Sequence, residues 1–106
     1  MPFTDTPGER VARGLTVLTP ACPLWWAPGP HAIDPDAIDF TSPGRGILAL
    51  VYGSHAEGLR LLAVAPELAA EFGFAARDAA DAVALAAAWR ASLDYSRTEN
   101  LSRPPR

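Results

Sequence analysis

Apolar residues recur at helical spacing along most of the chain, and each run opens on a residue suited to begin a helix. In TPGERVARGLTVLTP, Thr6 is placed to cap, Pro7 to take the first helical position and Glu9 to close a capping box. Val11, Leu15 and Leu18 then form an apolar stripe, and Pro20 ends the helix. IDPDAIDF reads as a short helical turn capped by Asp34, with Pro35 at its first position and Ile33 and Ile38 set for a hydrophobic staple. SPGRG follows as a turn around Pro43 and Gly44.

The run ILALVYG is apolar throughout, so periodicity alone does not separate a buried strand from a buried helix. A strand needs a partner strand, and the chain offers none, which favours a helix over 47–52. Ser54 and Glu57 then fit Ser-x-x-Glu before GLRLLAV, where Leu59, Leu62 and Ala63 share a face. A further helix is expected from Pro66 to Gly73, whose missing Cβ suits a left-handed stop, with Phe74 packing back on Leu68 or Ala69. The last helix is capped by Asp78 and runs to Arg97, with Ala82, Leu85, Ala86, Trp89 and Leu93 on its core face. Alanines at 86–88 would let a second helix approach closely.

The pattern therefore predicts an all-α domain, a small bundle of four to five short helices over residues 6–97. Residues 1–5 and the Pro-rich 98–106 are expected to be disordered. Between the first two helical segments, prolines 20, 23, 28 and 30 deny the backbone its donors, so no regular element forms there. Two adjacent tryptophans in this loop argue for order. Trp25 and Trp26 either fold back as a lid on the core, the favoured reading, or form an exposed patch that meets a partner together with Tyr95.

Composition narrows the functions. The chain has 106 residues, room for one core, and a net charge of −3. All nine basic residues are arginine, a bias that suggests a GC-rich bacterial genome. An acidic balance disfavours a surface that tracks phosphates. The single cysteine, Cys22, excludes an internal disulfide and an all-cysteine metal site. No apolar run is long enough to cross a bilayer and no signal-peptide pattern opens the chain, so a cytoplasmic location is expected.

The candidate chemistry is Ser54 beside His55, with Cys22 and His31. A nucleophile elbow needs glycines two places either side of its serine, whereas Gly53 adjoins Ser54 and Gly58 lies four beyond. Neighbouring side chains on a helix also diverge. Ser54 reads as a cap. Asp34, Asp36 and Asp39 lack the glycine and distal glutamate of a calcium loop. No catalytic, metal or cofactor site is therefore assigned, and no cofactor is expected. Residues 66–85 also have the spacing of a helix-turn-helix, but its recognition helix would open with Arg77, Asp78, Ala79, Ala80 and Asp81, two carboxylates facing a polyanion.

Five ordered pieces, IDPDAID, GILALVYG, GLRLLAV, AAEFGF and LAAAWR, resemble those of a group of small uncharacterised actinobacterial and phage proteins. That group carries an "ID…LD" segment, then CVLGQLYG, GLxxLGL, AxxLGF and LTAAWR. With RGLTVL and the Trp pair, the resemblance covers about residues 10–97 and implies no activity. The group's cysteine and glutamine fall on Gly46 and Leu50, so any chemistry they carry is missing here, while Tyr52 and Gly53 are kept. The expected function is that of a non-catalytic accessory or protein-interaction module, with an unknown protein partner or a second copy bound through the last helix. A helix-turn-helix-like DNA-binding or regulatory protein is the alternative.

Overall fold

The structure, a computed structural model, describes residues 6–27, 32–42 and 44–101. The expected disorder at 1–5 and 102–106, His31, and prolines 28, 30 and 43 lie outside the described residues. Among the described residues four α-helices form: α1 (Pro7–Ala21), α2 (Ile47–Tyr52), α3 (His55–Leu62) and α4 (Ala79–Leu101). Two 3-10 turns, Pro35–Ala37 and Pro66–Leu68, punctuate the connections, and the described residues contain no strand. The fold is an all-α bundle. Helix α1 packs along α4, while α2 and α3 form a tight pair that touches α1.

The helix starts follow the sequence. Thr6 Oγ1 accepts the Glu9 N–H at 3.1 Å, Asp34 accepts from Asp36 at 2.9 Å, Ser54 from Glu57 at 3.0 Å and Asp78 from Asp81 at 2.7 Å. Each satisfies a backbone donor that the first turn leaves unpaired. The ambiguous segment 47–52 is helical, and α2 ends on Gly53. Ile33 and Ile38, the staple pair, are both buried.

Three expectations change. Pro20 does not end α1 at once: it sits in the last turn, where it removes one helical hydrogen bond, and the helix closes one residue later at Ala21, with Cys22 N–H still bonded to Leu18 O. The expected helix over 66–73 is one 3-10 turn followed by hydrogen-bonded turns. Eight residues sustain a helix poorly on their own, and here the Ala70 and Glu71 carbonyls are taken by arginines of α1. Its stop is nevertheless of the expected kind: Gly73 has φ +72°, Gly73 N–H reaches Ala70 O and Phe74 N–H reaches Ala69 O. Without a helix at 66–73, this segment has no helix-turn-helix geometry. Finally, α4 continues past Arg97, so residues 98–101 belong to a helix rather than to a tail.

The core is built from Val11 and Leu18 of α1, Ile47 and Leu48 of α2, Leu59 of α3, Phe74, and the predicted face of α4. Leu85, Trp89 and Leu93 are completely buried, and Ala82 and Ala86 nearly so. Trp89 organises the centre. Its ring stacks on Phe74 at 6.1 Å, meets Trp25 edge-on at 5.7 Å, and its Nε1–H donates to Gly73 O at 2.6 Å. Helix α1 meets the 70–75 loop backbone to backbone: a Cβ on Gly14 would stand 2.2 Å from Phe72 O. Only glycine allows that approach.

Candidate functional site: the outer face of the last helix

Among the described residues, those with catalytic potential serve different places in the fold. Ser54 is exposed and occupied as a cap, and His55 lines a cleft of about 240 Å³ with Phe40, Ser42 and Phe74. Cys22 is half-buried at the end of α1. Glu57, the carboxylate nearest Ser54 in sequence, turns to Arg60 rather than to the cap, and this guanidinium holds it below the usual carboxylate range. Asp39 is held low by its own turn, accepting the Thr41 hydroxyl at 2.5 Å and the Thr41 N–H at 2.9 Å. Among the described residues, no three His, Cys, Asp or Glu side chains gather where they could hold a metal ion.

The arginines are the unforeseen structural residues. Arg10 is 1% exposed. Its Nε donates to Ala70 O at 2.7 Å, one terminal nitrogen to Ala75 O at 2.9 Å and the other to Asp81 at 2.6 Å. Arg13 holds Glu71 O, Arg45 holds Ala37 O, Arg90 holds Pro35 O and Ile38 O, and Arg97 holds Trp26 O and Ile33 O. A guanidinium has five donors in a rigid fork, so one side chain can pair several carbonyls that a loop leaves unsatisfied. Four of the nine arginines thus pin loops to helices, and Arg45 ties its own loop to the Pro35–Ala37 turn. Guanidinium groups spent on the protein's own carbonyls are poorly placed to grip phosphates.

Trp25 lies with the core at 5% exposure, as the lid reading requires, and offers a partner almost no surface. Trp26 is half-buried against the core, its carbonyl tied to Arg97 of α4. Tyr95 stands out from α4, 67% exposed. The three candidate partner residues therefore separate into one core residue, one at the edge and one on the surface.

Tyr95 belongs to a longer feature. Ala80, Ala84, Ala87, Ala91, Asp94 and Thr98 are all exposed and alternate at spacings of four and three, flanked by Val83 (68% exposed) and Tyr95. From 79 to 91 the charged side chains are Asp81 and Arg90, and both turn inward, onto Arg10 and onto the carbonyls of 35 and 38. From 79 to 91 helix α4 is thus apolar on its core face and on its outer face alike, and beyond that its outer face turns polar with Asp94 and Thr98. Sequence reasoning noted its small residues at 86–88; of these Ala87 alone is exposed, and it lines up with Ala80, Ala84 and Ala91. The signal that would have found them is the heptad spacing running beside the core face. Beside Val83 lies a second cleft of about 240 Å³, lined among others by Asp36, Asp39, Arg45 and Arg90. No family model, curated protein or solved structure matches the chain.

Proposed function

We propose that this protein is a small non-catalytic interaction module, and that its partner docks a helix on the outer face of α4. The observation that carries the reading is the exposed stripe Ala80–Ala84–Ala87–Ala91 between Val83 and Tyr95. Small residues admit a close helix–helix approach, with backbones nearer than the usual 8–10 Å allows for larger side chains. Tyr95 supplies the large, rigid anchor on which interface energy concentrates. The internal use of the arginines supports a protein partner over a nucleic acid.

The test is affinity capture from the native host with the wild-type chain and with Ala87→Glu. Glutamate is a good helix former and position 87 faces solvent, so the fold is retained. A partner held by the wild type is expected to be lost from the variant and weakened about tenfold by Tyr95→Ala. Partners captured equally by all three proteins would place docking elsewhere.

A further inference from the structure

We draw no further inference here: the strongest candidate, the apolar cleft of about 390 Å³ where α3 meets the Pro66–Leu68 turn, has its rim guanidinium, Arg60, already paired with Glu57, and nothing in the structure shows what covers it.

Discussion

At the scale of single residues, Arg10 and Asp81 show how a buried charge is made tolerable. Arg10 gives up hydration entirely and recovers it from two carbonyls and one carboxylate. Asp81 in turn accepts from Arg10 and from the Arg77 backbone N–H at 2.8 Å. The Arg10 hydrogen bond holds the Asp81 carboxyl below its ordinary value of 3.8, against the opposing effect of partial burial. A carboxylate with a depressed folded pKa adds stability that is present above the unfolded value and lost as pH falls through the folded one. Asp81→Asn should therefore cost about 2–4 kcal/mol near neutrality, because it leaves a buried guanidinium without its counter-charge. As pH drops below about 4 the wild type loses the same interaction, and the gap between the two proteins narrows. Urea melts of both at pH 7, 5, 4 and 3 check this, and a gap that stays constant with pH would mean the ion pair contributes nothing to folding.

At the scale of elements, the local rules carried far and stopped at a clear boundary. Caps at Thr6, Asp34, Ser54 and Asp78 were legible because a cap is a relation between residues two or three apart. The core face of α4 was legible because burial repeats every three or four positions. The arginine contacts were not, since Arg10 to Ala75 or Arg97 to Trp26 join positions far apart in sequence, which no periodicity encodes. The 66–73 segment was misjudged for the same reason: its composition favours a helix, while its carbonyls answer to α1. The ending of α3 lies between these cases. Ala63 N–H bonds Arg60 O and Val64 N–H bonds Leu59 O, a Schellman stop, with Val64 and Leu59 both buried. Yet the residue at the left-handed position is alanine, at φ +57°. An alanine there carries a strain of about 1 kcal/mol that glycine does not. Ala63→Gly should stabilise the domain by about 0.5–1 kcal/mol, a rise in melting temperature of roughly 2–6 °C for a chain this size. Calorimetry measures it, and a lower melting temperature would show that glycine's looser unfolded chain outweighs the relief.

At the scale of the whole molecule, one long helix ties α1 and the irregular segments together. Helix α4 carries Trp89 at the centre, holds the Pro-Trp loop and the 33–38 segment through Arg97 and Arg90, and meets α1 through Asp81 and Arg10. Trp25 of the irregular loop is thereby part of the core. Trp25 reaches Trp89 edge-to-face while Trp26 lies half-buried beside it, so adjacent tryptophans perform different tasks. Trp25→Ala should cost about 3–5 kcal/mol, the usual loss for deleting a buried aromatic, and Trp26→Ala about 1–2 kcal/mol. A domain with a total stability of only about 5–15 kcal/mol would be substantially weakened by the first and remain folded after the second. Chemical denaturation of the two variants reads the difference directly. Equal and small losses would mean that the loop is not packed on α4. Equal and large losses would make both rings part of the core and leave Tyr95 as the single aromatic anchor for a partner. The expected asymmetry matters for the outer face too. A loop fixed from within holds α4 still, and a helix held still along its inner side can present a stripe of alanines to a second helix without collapsing onto them itself.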